Sequence, residues 1–335
     1  MIKENLKIGV LGAGGWGTSL ALVLLNNGCD VILWSHDRQT ADIINETGTN
    51  PDYLPGIKIS GLKVSSSAED LKDVDWIVNA IPTQYIKDTV IKHQIPLKDK
   101  YIINGSKGIE ISTLCRISEI FNSVGGVSYD NYAVLSGPSH AEEVSRKMPT
   151  TIVSASENIV FAHDVQQMFS NEYFRVYASD DVIGCELGGS LKNVIALAAG
   201  IIDGLGLGDN TKAALITRGL AEMSRLGVSM GAKALTFSGL SGLGDLFVTC
   251  NSQHSRNRKV GELIGKGQSL SEIIAHMKMV AEGVHTTKAA LELGNKHSVE
   301  IPITEQVYRI LFDGIKPIDA IKDLMTRQSK KEWWW

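Results

Sequence analysis

In the first half of the chain, short and nearly unbroken apolar runs alternate with segments whose apolar residues recur at helical spacing. The runs are Lys7–Leu11, Val31–Ser35, Trp76–Ile81, Tyr101–Asn104, Tyr132–Leu135 and Thr151–Ser154. Between them, Thr18–Asn26, Tyr85–His93, Leu114–Phe121 and Ile159–Phe169 read as helices. Strands alternating with helices predict a mostly parallel sheet with right-handed crossovers. Because the runs lack polar alternation, both faces of that sheet should be covered. After about Asp181 strand-like runs fade, and helical patterns over Ser190–Ile202, Asp209–Gly227, Ser255–Ile264, Ser269–Met277, Thr286–Leu293 and Ile303–Leu311 take over. In the clearest of these, Asp209 and Asn210 read as the cap, Ala213, Ile216, Leu220 and Met223 as the buried stripe, and Gly227 as the stop. The expected fold class is therefore α/β, an N-terminal mostly parallel sheet over residues 1–181 followed by an all-helical C-terminal domain over 182–335.

The first run leads directly into Gly12-Ala13-Gly14-Gly15-Trp16-Gly17 and then into a helix. By itself GxGxxG also describes a ligand-free glycine-rich turn, but in a strand–turn–helix context it predicts a dinucleotide site. Gly12 permits the tight turn, Gly14 lets a pyrophosphate approach the backbone, and Gly17 lets helix and strand pack closely. The free N–H groups of the helix start then face the phosphates. After the second run come His36-Asp37-Arg38. An acidic residue here suits the ribose hydroxyls of NAD, and an arginine suits the 2′-phosphate of NADP. With both present, NADH and NADPH stay open, and the reading leans towards NADPH.

Composition narrows the class further. A chain of 335 residues favours two domains, and 43% hydrophobic with 21% charged residues describes an ordinary globule. A net charge of −4 without a dense basic run gives no sign of a nucleic-acid footprint. The four cysteines, Cys29, Cys115, Cys185 and Cys250, lie far apart with no CxxC pair, which argues against disulfides and against a metal site. Residues 1–5 are too short and polar for a signal peptide, and no apolar stretch is expected to reach membrane length. These features predict a cytoplasmic protein without a membrane partner.

Candidate chemistry clusters where strands should end. Asn79–Thr83, Asn104–Gly108 and Leu135–Ala141 each close an apolar run with small or polar residues, the position at which open α/β sheets bind ligands. Lys107 lies in the second of these. A surface lysine is the commoner fate, but the flanking glycines favour a role. In the helical half, Lys192 is read onto the first turn of an otherwise apolar helix, where the helix N-terminus and burial would favour its neutral form; a snorkelling lysine is the bland alternative. Gly239–Asp245 reads as a tight loop holding a carboxylate. Ser255-Arg256-Asn257, opening a helix, offers hydroxyl, guanidinium, amide and backbone N–H groups to a phosphate.

In order along the chain, GAGGWGTSLA, SKGIE, SGPSHAEEV, ELGGSLKNVIALAAGI, GDNTKAALITRGLAEM, GLSGLGDLFVTC and SRNRKVGELIGKG resemble the family of bacterial NAD(P)-dependent glycerol-3-phosphate dehydrogenases over almost the full length. The resemblance implies a Rossmann-type dinucleotide-binding domain, a helical substrate and catalytic domain, and a homodimer. It also implies interconversion of dihydroxyacetone phosphate and sn-glycerol 3-phosphate with NADH or NADPH, feeding phospholipid synthesis. By motif position, Lys192 resembles the catalytic lysine, Lys107 would touch both cofactor and substrate, and Asp245 would orient Lys192 or the substrate hydroxyl, with Thr249 and Asn193 nearby. Gly137, Ser139, Ser255, Arg256 and Asn257 would surround the phosphorylated triose. Gly12, Gly14, Gly15, Trp16, Gly17, His36, Ala141, Val280 and Glu282 match cofactor positions, with Arg256 also reaching the cofactor. The family often carries a hydroxyl residue where Gly15 stands, which leaves a backbone contact there. Two competing readings share the architecture: a hydroxyacid or sugar-acid dehydrogenase binding a carboxylate, and a non-catalytic nucleotide sensor. Retention of Lys107, Lys192 and Asp245 argues against the sensor. The terminal Trp333-Trp334-Trp335 has no physical account.

Overall fold

The computed structural model describes residues 6–277 and 281–332. Ten strands and six α-helices form the first half, in chain order β1 (Lys7–Leu11), α1 (Gly15–Asn26), β2 (Asp30–Trp34), α2 (Arg38–Thr47), β3 (Thr49–Asn50), β4 (Leu54–Lys58), β5 (Lys63–Ser65), β6 (Trp76–Asn79), α3 (Ile86–His93), β7 (Tyr101–Asn104), α4 (Ile117–Gly125), β8 (Tyr132–Ser136), α5 (Ala141–Val144), β9 (Thr150–Ala155), α6 (Ile159–Phe169) and β10 (Phe174–Ser179). Eight strands make one sheet in the order β10-β9-β8-β7-β6-β1-β2-β5, and β3 pairs with β4 in a separate hairpin. All neighbours in the large sheet run parallel except β8 and β9.

Successive residues of a strand face opposite sides, and here both sides are apolar. Val10, Val78 and Ile103 join one core, while Leu11, Ile77 and Ile102 join the other. The sheet is thus buried on both faces, as its unbroken apolar runs predict. Since β2 leaves β1 on one side and β6 lies on the other, the glycine turn after β1 sits at the point where strand order reverses. That crevice is where such sheets bind ligands.

The second half is helical: α7 (Val182–Gly204), α8 (Asp209–Ser229), α9 (Ala234–Phe237), α10 (Asp245–Asn251), α11 (Arg256–Gly265), α12 (Leu270–Ala275), α13 (Glu282–Lys296), α14 (Pro302–Phe312) and α15 (Pro317–Met325). Helix α7 is the axis of this half, buried along nearly its whole length. Against it α11 packs backbone to backbone. A Cβ on Gly200 would fall 1.9 Å from the Arg258 carbonyl oxygen, and one on Gly261 would fall 2.0 Å from that of Leu197. No residue larger than glycine fits either position at this helix separation.

Several sequence expectations need correction, each for a tertiary reason. The helix expected over Ser190–Ile202 starts at Val182, capped by Asp181, whose carboxylate accepts from Gly184 N at 2.9 Å. Gly188 and Gly189 are helical, and a Cβ on Gly188 would lie 2.5 Å from the Ser241 carbonyl oxygen. Lys192 is therefore mid-helix, not in a first turn. This helix is also long and apolar enough to match a membrane span, contrary to expectation, but the apolar window is wholly inside the protein. Gly208, not Asp209 or Asn210, caps α8, and the helix continues past Gly227 to Ser229. Gly227 faces the Phe237 ring. The glycine-rich segment before Asp245 is no loop: Leu240–Gly244 forms one π-helical turn running into α10. Leu114 adopts a left-handed φ of 61°, so its helix begins only at Ile117. Strands β5 and β10, the β3–β4 hairpin, and helices α2, α5, α9, α10 and α15 were not among the expected elements.

Candidate active site

The carboxyl ends of β1, β2, β6 and β7 open onto one cleft of about 720 Å³, closed on its far side by residues of α7 and the start of α11. At its sheet edge lies the glycine turn. Gly12 has φ +102°, and a Cβ on Gly17 would stand 1.9 Å from the Gly12 carbonyl oxygen. Turn and helix therefore close upon each other only with glycine at both places. Gly14 caps α1, and a Cβ there would meet no described residue within 4 Å, which leaves room for an anion at the helix N-terminus. A Cβ on Gly15 would lie 2.8 Å from the Tyr53 carbonyl oxygen, which occupies the room a side chain would need. Trp16 Nε1 donates to the Gly105 carbonyl at 2.9 Å and ties this turn to the end of β7. Ala141 lines the cleft and accepts from Ser19 Oγ at 3.0 Å.

The end of β2 distributes its polar groups unevenly. His36, Asp37 and Thr40 line the cleft, and Arg38 does not. Asp37 is the N-cap of α2, its oxygens accepting from Gln39 N at 3.1 Å, Thr40 N at 3.0 Å and Thr40 Oγ1 at 2.6 Å. The Thr40 hydroxyl and amide hold that carboxyl below its usual value. Arg38 points into solvent, 3.6 Å from Asp42. The acidic side chain that would mark ribose recognition thus lies on the cleft wall but already accepts three hydrogen bonds as a helix cap.

At the centre of the cleft two lysines share one carboxylate. Lys107, carried on the loop after β7, donates from Nζ to Asp245 Oδ2 at 2.5 Å and to the Gly137 carbonyl at 3.2 Å. Lys192 donates to Asp245 Oδ1 and to Thr249 Oγ1, the latter at 2.7 Å. Asp245 is 1% exposed and Lys192 6%. Burial of two like charges is tolerable only with such a partner. Burial pushes the Lys192 ammonium down to about 7; Asp245 opposes the shift and Lys107 adds to it. Of the two causes read from the sequence, burial holds, and the helix N-terminus does not, since Lys192 lies in mid-helix. Burial alone would raise the Asp245 carboxyl, but the two ammonium groups outweigh it and hold the carboxyl below its usual value. Asp245 and Gly137 stand behind the wall of the cleft; Lys107, Lys192, Thr249 and Ser139 are on it.

The far end is built on the N-terminus of α11. Ser255 caps it, its Oγ accepting from Arg258 N at 3.2 Å, which leaves the hydroxyl proton available to a ligand. Asn257 bridges helices: its Nδ2 donates to Asn193 Oδ1 at 2.9 Å, and its Oδ1 accepts from Gly283 N at 2.9 Å. Arg256 lies along the cleft. Glu282, at the start of α13, also lines the cleft, and neither of its buried oxygens makes a well-formed hydrogen bond among the described residues. Burial lifts its carboxyl to about 7 against the pull of Arg256. Val280, the remaining sequence candidate, lies outside the described residues.

Several cleft residues were given no role by the sequence reading, among them His140, which lay inside a candidate segment, and Tyr53. His140 has a buried Nε2 without a hydrogen-bond partner among the described residues, and its pKa falls to about 4, first through burial and then through Lys192. Tyr53 comes from the β3–β4 hairpin, which contributes to the cleft from outside the large sheet. Neither belongs to a recognisable spacing, although a histidine among small residues after a strand was a usable signal.

Residues 7–162 match the family described as NAD-dependent glycerol-3-phosphate dehydrogenase N-terminus, and residues 181–322 match its C-terminus. The NAD(P)+ glycerol-3-phosphate dehydrogenase of Bacillus velezensis is 51% identical over 331 residues, covering 97% of this chain and 96% of its own. That of Carboxydothermus hydrogenoformans is 50% identical over 331 residues, covering 98% of each. The crystal structure of glycerol-3-phosphate dehydrogenase from Coxiella burnetii overlays with a TM-score of 0.91 at 38% identity, covering 97% of this chain and 100% of that one. With both halves matched and the relatives aligned end to end, the chain belongs to the NAD-dependent glycerol-3-phosphate dehydrogenase family.

Proposed function

We propose that this cleft interconverts dihydroxyacetone phosphate and sn-glycerol 3-phosphate, with Lys192 as the proton donor to the carbonyl oxygen and its acceptor in reverse. The observation that carries the reading is the pair Lys107 and Lys192 on one buried carboxylate, midway between a glycine turn and a helix N-terminus bearing Ser255 and Arg256. An open glycine turn at one end and a buried Glu282 carboxyl beside Arg256 at the other fit a dinucleotide. Gly12, Gly14, Gly15, Trp16 and Gly17 would hold its pyrophosphate, His36 its adenosine end, and Ala141, Arg256 and Glu282 the rest. When bound, NADH or NADPH supplies the hydride.

The side chains supply what remains. In reduction, an ammonium on Lys192 gives its proton to the oxygen as negative charge develops there, and ends as a neutral amine. Lys107 keeps a positive charge beside the same oxygen, so the alkoxide is stabilised as it forms. Thr249 and Asp245 fix the direction of the Lys192 amine. Ser255, Arg256, Asn257 and Ser139 hold the small phosphorylated triose, and binding energy from the remote phosphate orients the reacting carbon. Residues 1–181 would serve the cofactor and 182–335 the substrate, in a cytoplasmic homodimer that feeds glycerophospholipid synthesis.

The test is a steady-state assay of dihydroxyacetone phosphate reduction with each cofactor, run beside oxo acids that carry a carboxylate instead of a phosphate. Turnover confined to the phosphorylated triose supports the reading, and a preference for an oxo acid sinks it. Because Asp37 is committed to capping α2, NADPH should be used at least as efficiently as NADH; strong selection for NADH would contradict that. Arg256→Ala should raise the KM for the triose phosphate by ~10–100-fold, as loss of a charge-assisted hydrogen bond does. An unchanged KM would remove Arg256 from the phosphate grip.

A further inference from the structure

The glycine turn is held from behind by a residue that no glycine motif includes. Asn50, on the β3–β4 hairpin, is 1% exposed, and its Nδ2 donates to the Ala13 carbonyl at 2.9 Å and to Thr18 Oγ1 at 3.0 Å. Ala13 and Gly14 line the cleft and Asn50 does not. The described chain contains no cis peptide, so the Ala13–Gly14 unit is planar and trans, with its carbonyl and its N–H pointing in opposite directions. A carbonyl drawn inward by Asn50 therefore presents the Gly14 N–H outward. We propose that Asn50 is a positioning residue for the cofactor's pyrophosphate, acting by fixing the Ala13–Gly14 peptide plane so that an amide donor, rather than a carbonyl dipole, faces the anion.

The same hairpin makes this orientation matter more in this chain. The Tyr53 carbonyl fills the space beside Gly15, so no side chain at position 15 can reach a phosphate. Recognition at the turn then rests on backbone N–H groups, whose directions are set by what holds the carbonyls. Ser19 Oγ donates to the Gly15 carbonyl at 2.8 Å, so the carbonyls of residues 13 and 15 are both engaged by side chains. If the Ala13 carbonyl lost its partner, the peptide could rotate and turn its negative end towards the pyrophosphate.

The proposal rests on the glycine turn being the pyrophosphate seat, and the experiment separates the two. Cofactor Kd is measured by NADPH fluorescence, with ADP and adenosine as competitors and thermal melting alongside. Asn50→Ala, and Asn50→Asp, which keeps the size but loses the donor, should raise the Kd and KM for NADPH ~10–100-fold, the cost of an orphaned buried carbonyl and a misdirected amide. The loss should fall on cofactor KM rather than kcat, affect ADP as much as NADPH, and spare adenosine. A lowered melting temperature with unchanged NADPH and ADP affinity overturns the proposal and leaves Asn50 a structural residue. If the wild-type protein itself fails to prefer ADP over adenosine, the pyrophosphate reading falls instead. Should the Asn50 variants not fold, Thr18→Val removes the second acceptor of Nδ2. It should weaken NADPH and ADP together by several-fold, and equal affinity overturns the proposal.

Discussion

Lys192→Ala is expected to lower the turnover of triose phosphate reduction ~100-fold or more, the usual contribution of a positioned general acid, while NADPH affinity stays at the wild-type level. The reason is spatial. Lys192 sits in mid-α7 with its ammonium on Asp245 and Thr249, away from the glycine turn that would hold the pyrophosphate. Its pKa of about 7 also sets a pH signature. The proton donor is the charged form, so kcat/KM for reduction should fall as pH rises through about 7, and kcat/KM for glycerol phosphate oxidation should rise through the same region. With two lysines and one carboxylate in contact, the apparent value belongs to the cluster as a whole. In Lys192→Ala that titration should vanish. Near-wild-type turnover, or an unchanged pH profile in the variant, would remove Lys192 from the chemistry.

Asp245→Asn should be comparably damaging, by a different route. Asp245 never needs to touch substrate for this, since it lies behind the cleft wall, but it is the carboxylate between two ammonium groups. Its charge opposes the depression of the Lys192 pKa. Without it, burial and Lys107 act unopposed, and the Lys192 pKa falls below about 7. At neutral pH the amine would then be mostly neutral and unable to protonate the alkoxide, so reduction should drop by ~100-fold. Removing one partner of a buried ion pair is also expected to cost about 3–5 kcal/mol of stability, visible as a lowered melting temperature. The two routes separate in the pH profile. Part of the lost reduction rate should return as pH is lowered in Asp245→Asn, whereas Lys192→Ala should show no recovery. An Asp245→Asn profile superimposable on wild type would show that the carboxylate does not tune the lysine.

The sequence alone was enough for the class of fold and for most of the residues now gathered in the cleft. Hydrophobic period is local, so β1, β6, β7, β8 and β9 and the helix α6 (Ile159–Phe169 as expected) could be read from it. The glycine turn was legible because its backbone conformation admits few other residues. Lys192 was legible because it interrupts an apolar helix with a group that is costly to bury, Lys107 and Asp245 because glycines surround them, and Ser255–Asn257 because hydroxyl, guanidinium and amide groups open a helix.

What the tertiary structure decided is how those groups are spent. Asp37 caps a helix, Gly188 and Gly189 continue α7 with another backbone close against Gly188, and Lys192 owes its lowered pKa to burial in mid-helix rather than to a helix end. Asn50, with no period or motif to mark it, reaches the glycine turn only through a hairpin folded against it. Chain-local signals report what a residue could do in its own turn of helix or strand. Desolvation, partner charges and backbone approach depend on residues distant in sequence, and those set which of the possible roles each side chain holds.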